Sequence, residues 1–243
     1  MIIGPGITIG NGIYVDAYAP ASGIVADSLI FNLDMRNYTL SREAYWPDSS
    51  GNGNDFGFFE LPNDGTHGTI YNIGTDTAYW YASGINGATA TSDIFPANIN
   101  YSKGAVVWTP DGGFSNIIGS NNQETFWGAG SPYIQAGNNG GNYYEVSSDP
   151  NTFPVAQWFY VSMSFSTTTG WKVYFNGNEV GSSVLTGTRD SASTPQIFSY
   201  AGNGNNSSGK IAAAHLYSRV LTPAEHLQNS NYYATRYSGS NPT

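Results

Sequence analysis

The sequence contains no cysteine. Disulfides, thiolate-bound zinc and thiol catalysis are therefore excluded. Charge is also scarce: 10% of residues are Asp, Glu, Lys or Arg, with 8 Lys+Arg against 17 Asp+Glu and a net charge of −9. So few basic side chains cannot neutralise a phosphate backbone, and nucleic acid is not an expected partner. Long apolar runs are missing as well. Nothing approaches the ~18 consecutive apolar residues of a spanning helix, so no membrane insertion is expected. The N-terminus, Met1-Ile2-Ile3-Gly4-Pro5-Gly6, has no basic region leading into an apolar run, so no secretory signal is read there. Strong helix formers (Lys, Glu, Leu, Met) are sparse.

What is present suits strands and tight turns. The 243 residues include 30 Gly and are 15% aromatic, enough to build a core and to argue against disorder. The length fits one all-β domain, which runs to roughly 200–250 residues. Tyr14–Tyr18, Ala105–Thr109, Trp158–Phe165 and Trp171–Phe175 read as strands. In the third, Phe159, Val161, Met163 and Phe165 form the set facing the core. Trp158, Tyr160, Ser162 and Ser164 then face outward or across to a second layer. Asn176-Gly177 is the preferred pair for a two-residue turn, because both positions need positive φ, so Trp171–Val180 reads as a hairpin. Lys210–Tyr217 is bounded as a strand by Gly209 and Ser218-Arg219, with Ile211, Ala213 and His215 alternating against Ala212, Ala214 and Leu216. Thr222-Pro223-Ala224-Glu225 carries a capping box and predicts a helix from Pro223 to about Arg236. The pattern is that of a sandwich of two antiparallel sheets with a short C-terminal helix.

The first 27 residues differ. Gly4-Pro5-Gly6-Ile7-Thr8-Ile9 is echoed by Gly10-Asn11-Gly12-Ile13-Tyr14-Val15. Two hexads are too few for a solenoid. They suit an extended arm, residues 1–27, that could add to another chain's sheet edge, with a frayed terminus as the other reading. Residues 28–243 form the globular domain.

Five landmarks then occur in one order: Trp46-Pro47-Asp48-Ser49-Ser50-Gly51-Asn52-Gly53-Asn54-Asp55; Gly104–Pro110; Gln157–Val161; Trp171–Val180; and Gly209-Lys210-Ile211 through Tyr217-Ser218-Arg219-Val220-Leu221-Thr222-Pro223-Ala224-Glu225. Taken together they resemble the laminin-G-like domains of the concanavalin A-like lectin/glucanase superfamily. The resemblance implies a two-sheet jelly roll and places Trp46, Trp108 and Trp158 as plugs of the inter-sheet core. The hexad arm ahead of such a domain resembles virion proteins of tailed bacteriophages. That second resemblance implies a virion location, on a tail fibre or as capsid decoration. It also implies contacts with other virion proteins through the arm and a homo-oligomer, with a trimer expected for a fibre.

Hydrolysis is not expected. Glucanases of this superfamily carry Glu-x-Asp-x-Glu or Glu-x-Asp-x-x-Glu on one strand, so that two carboxylates flank the scissile bond. Here Glu43, Glu60, Glu124, Glu145, Glu179 and Glu225 are each isolated. No Gly-x-Ser-x-Gly elbow stands near a histidine, and His215 and His226 read as structural. The Asp48–Asp55 loop alternates oxygen side chains around Gly53, like the first half of a calcium loop, with Asp48, Asn52, Asn54 and Asp55 as candidate ligands. Phe59 stands where the bidentate Glu would be, and an Asx turn that needs no ion is the other reading. Several laminin-G-like domains bind calcium, which keeps Ca²⁺ as a candidate cofactor.

A sugar is held by aromatic faces against its C–H surface and by amides and carboxylates at its hydroxyls. Three loop-like segments offer that mixture: Tyr79-Trp80-Tyr81, Asn121–Trp127 and Asn138–Tyr144. Asn122, Glu124, Trp127, Tyr143 and Tyr144 are the candidate ligand-binding residues. The expected function is non-enzymatic: a virion protein whose lectin-like domain binds a host-surface glycan. A purely structural subunit and a divergent glycoside hydrolase are the alternatives.

Overall fold

The computed structural model describes residues 7–9, 13–15, 23–42, 44–63, 66, 68–97, 99–108, 116–121, 126–130, 133–138, 142–146, 156–184, 192–199 and 207–237. In chain order the strands are β1 (Ile7–Ile9), β2 (Ile13–Val15), β3 (Leu29–Asp34), β4 (Tyr45–Trp46), β5 (Phe56–Phe58), β6 (Thr69–Tyr71), β7 (Tyr79–Ser83), β8 (Ala88–Ala90) and β9 (Tyr101–Trp108). They continue as β10 (Ile118–Ser120), β11 (Phe126–Gly130), β12 (Tyr133–Asn138), β13 (Asn142–Val146), β14 (Trp158–Ser166), β15 (Gly170–Phe175), β16 (Asn178–Ser183), β17 (Pro195–Ile197) and β18 (Ser208–Tyr217). One α-helix, α1 (Pro223–Tyr237), follows β18.

An eight-stranded sheet runs β16-β15-β14-β9-β18-β7-β6, with β3 also paired to β18. A five-stranded sheet, β10-β17-β8-β5-β4, packs against one of its faces. The ladders are antiparallel, so the sandwich expected from the strand pattern is the one that forms. Phe159, Val161, Met163 and Phe165 of β14 enter the buried cluster between the sheets, as their alternation predicts. Aromatic rings lock the layers together. Trp46 of β4 meets Trp80 of β7 edge-on at 6.4 Å, and Trp80 also touches Phe58 at 5.1 Å and Phe198 at 5.9 Å. Trp46 and Trp80 are both fully buried. Each such side chain contributes ~1.5–3 kcal/mol or more by leaving water.

The second layer that β14 faces on its other side is α1. Ser162 Oγ lies 2.8 Å from His226 Nδ1, and Ser164 Oγ lies 2.8 Å from Nε2. Tyr160 stacks near Tyr233 at 6.0 Å, and His226 stacks on Tyr174 at 3.8 Å. The helix starts where the capping box predicts. Thr222 Oγ1 accepts from the Glu225 amide at 3.3 Å, and Glu225 accepts from the Thr222 amide at 2.8 Å. Arg219 donates to both Glu225 oxygens, which lowers that carboxyl's pKa to about 2.

β18 departs from simple alternation. A bulge between Ile211 and Ala213 shifts its register. Ile211 therefore faces the inter-sheet core, while Ala212 and Ala213 join the cluster under α1. His215 is fully buried beside Tyr160, with Nε2 2.8 Å from the tyrosine oxygen. Gly104 makes the space for this pair, since a Cβ there would sit on the His215 ring and the Tyr160 hydroxyl.

The N-terminal segment differs from a fully extended arm. β1 and β2 pair with each other antiparallel, Ile7 opposite Val15 and Ile9 opposite Ile13. Residues 23–27, assigned by sequence to the arm, dock on the domain. The Val25 amide donates to Asn229 Oδ1 at 2.8 Å, Tyr217 Oη donates to the Val25 carbonyl at 3.0 Å, and Asp27 pairs with Arg219.

Candidate functional site

The Asp48–Asp55 loop is a closed hydrogen-bond unit. Asp48 Oδ1 accepts from the Asn32 and Ser50 amides at 2.8 and 2.9 Å, and Oδ2 accepts from Ser50 Oγ at 2.7 Å and the Asn54 amide at 3.0 Å. Asp55 Oδ1 accepts from the Asp48 amide, while its other oxygen takes Arg42. Asn52 and Asn54 donate to the Leu29 and Ile30 carbonyls. Calcium takes 6–8 oxygens. The Asp48 carboxylate already accepts four hydrogen bonds and Asp55 is held by a guanidinium, so this donor set does not fit the ion. No group of three or more His, Cys, Asp or Glu side chains is placed to hold a metal among the described residues.

The predicted ligand-binding residues divide. Asn122 and Glu124 lie outside the described residues. Trp127, Tyr143 and Tyr144 are on strands of a three-stranded sheet, β11-β12-β13, rather than on loops. Trp127 pairs with Ala136 and Ala136 with Tyr144, so the two aromatic positions share one cross-strand row. Tyr143 is one position along, opposite Gly137. The Gly- and Asn-rich composition suggested loops; backbone pairing makes strands of the same residues. Tyr79-Trp80-Tyr81 is likewise strand β7, and Trp80 is spent in the core.

The surface that does bring aromatic groups together lies on the outer face of the large sheet. Tyr81 of β7 pairs with Lys210 of β18, Lys210 with Trp108 of β9, and Trp108 with Trp158 of β14. Residues directly opposite in antiparallel strands share a face. This row therefore crosses four adjacent strands, a span of about 14 Å. All four side chains are half-buried, with part of each open to solvent. Trp108 and Trp158, expected as core plugs, are thus on the wrong side of the sheet for that role. Their strand neighbours Val107 and Phe159 fill the core instead. Trp158 belongs to the outward set of the β14 alternation, which is the signal that locates it; the pairing of residues 81, 210, 108 and 158 has no counterpart in the linear sequence.

Beside this row runs a second. Tyr71 stacks on Tyr79 at 5.0 Å, Tyr79 meets Trp158 at 5.5 Å, and Trp158 meets Tyr237 of α1 at 4.8 Å. Val106 and the bulge alanines, Ala212 and Ala213, lie in one buried cluster with Tyr79 and Tyr237, and Trp158 packs against it. A cavity of about 290 Å³ opens there between sheet and helix, lined by Val106, Trp158, Tyr160, Asn231, Tyr233 and Tyr237 among others. That is at the lower end of the ~300–1,000 Å³ usual for ligand pockets. Asn231, Ala234 and Asn176 at its rim are exposed. No carboxylate lines it among the described residues. Among the described residues the arrangement supplies flat apolar faces, a few amides and the Lys210 cation, and no acid–base pair.

Burial lowers the pKa of Lys210, and burial with the adjacent Tyr71 raises that of Tyr79. Under the helix, desolvation pushes His215 and His226 down to about 3, so both are neutral near pH 7.

A laminin G-type family model, described as the concanavalin A-like lectin/glucanases superfamily, matches residues 95–225. No curated protein sequence matches the chain. Among solved structures, domain 4 of AbnA, an extracellular arabinanase of Geobacillus stearothermophilus, in complex with arabinotriose, has a TM-score of 0.61 at 17% identity, covering 84% of this chain and 98% of that one. Botulinum neurotoxin type C, whose cell entry depends on two ganglioside molecules, has a TM-score of 0.62 at 17% identity, covering 86% of this chain. Trypanosoma rangeli sialidase with the inhibitor DANA has a TM-score of 0.55 at 14% identity, covering 82% of this chain. This chain spans about half of that neurotoxin chain (52%) and 32% of the sialidase. At these identities the likeness is one of fold.

Proposed function

The chain belongs to the concanavalin A-like lectin/glucanase superfamily, and from that premise we propose that it acts as a carbohydrate-binding module without hydrolytic activity. One observation carries the reading: the row Tyr81–Lys210–Trp108–Trp158 continues into the cavity beside Tyr237. Sugar rings stack on aromatic faces, and the rim amides are placed for hydroxyls. Support also comes from the arabinanase domain, a structure of matching extent solved with a bound oligosaccharide.

A glycan array with wild type and Trp158→Ala tests this. Binding that disappears in Trp158→Ala, with melting largely retained, supports the assignment. Binding that survives it and is lost in Trp127→Ala moves the site to the β11-β12-β13 sheet, where Trp127, Tyr143 and Tyr144 were expected to act. Turnover of a polysaccharide by the purified protein refutes the non-enzymatic reading.

We further propose display on a virion surface, with the N-terminal segment holding neighbouring copies or other virion proteins. Its two Gly-x-Gly-Ile hexads support this. Repetition raises weak sugar affinity by ~10²–10⁴ through effective concentration. Deleting residues 1–22, which spares the docked 23–27 segment, should abolish assembly and leave the domain folded.

A further inference from the structure

The chain has three lysines, Lys103, Lys172 and Lys210. Lys103 is buried between the sheets and donates to the Ile118 carbonyl at 3.1 Å. Lys172 pairs with Glu179 at 2.7 Å. Arg36, Arg42, Arg219 and Arg236 each hold a carboxylate. Lys210 differs from these pairs: among the described residues it has no carboxylate partner, although acids outnumber bases about two to one along the chain. Its ammonium lies 4.0 Å from the Trp108 ring centroid and 5.1 Å from that of Tyr79.

This placement bears on what the row can accept. The ammonium covers faces on which a neutral sugar would stack, so such a sugar must displace it. Among the described residues this half-desolvated cation is held by ring quadrupoles and has no counter-charge. An anion arriving at the row supplies one, and a charge-assisted hydrogen bond in a partly dry site outweighs a neutral one.

We infer that the glycan bound on this face carries a carboxylate, a uronic or sialic acid residue, which Lys210 binds while flanking sugars rest on Tyr81 and Trp158. This deepens the carbohydrate-binding reading and rests on it. In a protein with a net charge of −9, this local cation would select an anionic chain against the general repulsion.

Calorimetric titration with matched ligands tests it: an oligouronide and its carboxyl-reduced counterpart, and sialyllactose beside lactose. Wild type should prefer the carboxylated member of one pair by roughly 10-fold or more, and the responding pair identifies the acid. Lys210→Gln should lose that preference while keeping weak binding of both members, and Lys210→Arg should restore part of it. Trp158→Ala should lose both. Equal binding of charged and reduced ligands by wild type, or a preference that persists in Lys210→Gln, overturns the inference and leaves the carbohydrate-binding reading standing. Binding confined to sulfated glycans overturns the carboxylate assignment. If no glycan of a broad array binds, both readings fail.

Discussion

The outer face of the large sheet has two halves with different chemistry. Where α1 covers it, the sheet presents small hydroxyls among the rings of Tyr160, Tyr174 and His215, which stack on helix side chains. Ser102 Oγ and Ser164 Oγ are 2.6 Å apart, Ser102 also bonds the Arg219 carbonyl and the Leu221 amide, and Ser162 and Ser164 bracket His226. Past the helix edge, where Trp158 touches Tyr237, the sheet presents Tyr81, Lys210, Trp108 and Trp158. Hydroxyls on a sheet face are satisfied by a helix that brings its own polar partners. Large flat rings around a cation with no carboxylate partner among the described residues suit a partner of matching shape and opposite charge. The difference separates a face built for the chain's own helix from one that suits an outside ligand.

The sharpest test of this contrast uses two residues adjacent in sequence. Trp80 points into the sandwich and Tyr81 out of it. Trp80→Ala should lower stability by ~3–5 kcal/mol, the usual range for deleting a buried aromatic side chain. Urea denaturation would show a large drop in midpoint. A fall of less than about 1 kcal/mol would mean the inter-sheet core does not depend on the Trp46–Trp80–Phe198 contacts.

The covered half should also be the acid-sensitive half. His215 and His226 are buried neutral, with pKa values near 3 against 6.5 in the unfolded chain. Below pH 6.5 the unfolded state takes up protons that the folded state refuses. Stability is therefore complete above that pH and falls as pH drops toward about 3. Between pH 6.5 and 5.5 the pair should remove about 2 kcal/mol. His226→Gln should halve that slope in urea midpoints measured across the interval. An unchanged slope in His226→Gln would remove His226 as a source of the acid sensitivity.

Much of the covered half was legible in the sequence. The β14 alternation separated Phe159, Val161, Met163 and Phe165 from the set that meets the helix, and Thr222–Glu225 placed the helix start. The Asn176-Gly177 turn has φ of 47° and 82°, as its residue pair requires. These are local signals, set by spacing within one segment. The open half depends on long-range register, which joins residues 81, 210, 108 and 158, and on a bulge in β18 that no spacing reveals. Trp158 stands in the outward set of its own strand, so the core-plug role given to it and to Trp108 came from the family landmarks and not from strand parity. Within β14 the apolar set marks the core face, whereas which rings of β7, β9 and β18 share the opposite face follows only from how the strands pair.

Tyr81→Ala should give the smallest change in stability and so complete the contrast with Trp80. Its ring is half-buried, makes no aromatic contact among the described residues, and pairs across the ladder with Thr69 and Lys210. Truncation leaves the backbone ladder intact and opens no enclosed cavity, so the loss should be about 1 kcal/mol or less. If the row is a ligand surface, the same substitution should weaken glycan binding several-fold while the urea midpoint barely moves. A mutant that loses stability in proportion to binding would make Tyr81 part of the scaffold. The distinction between the two halves would then rest on Trp158 and Lys210 alone.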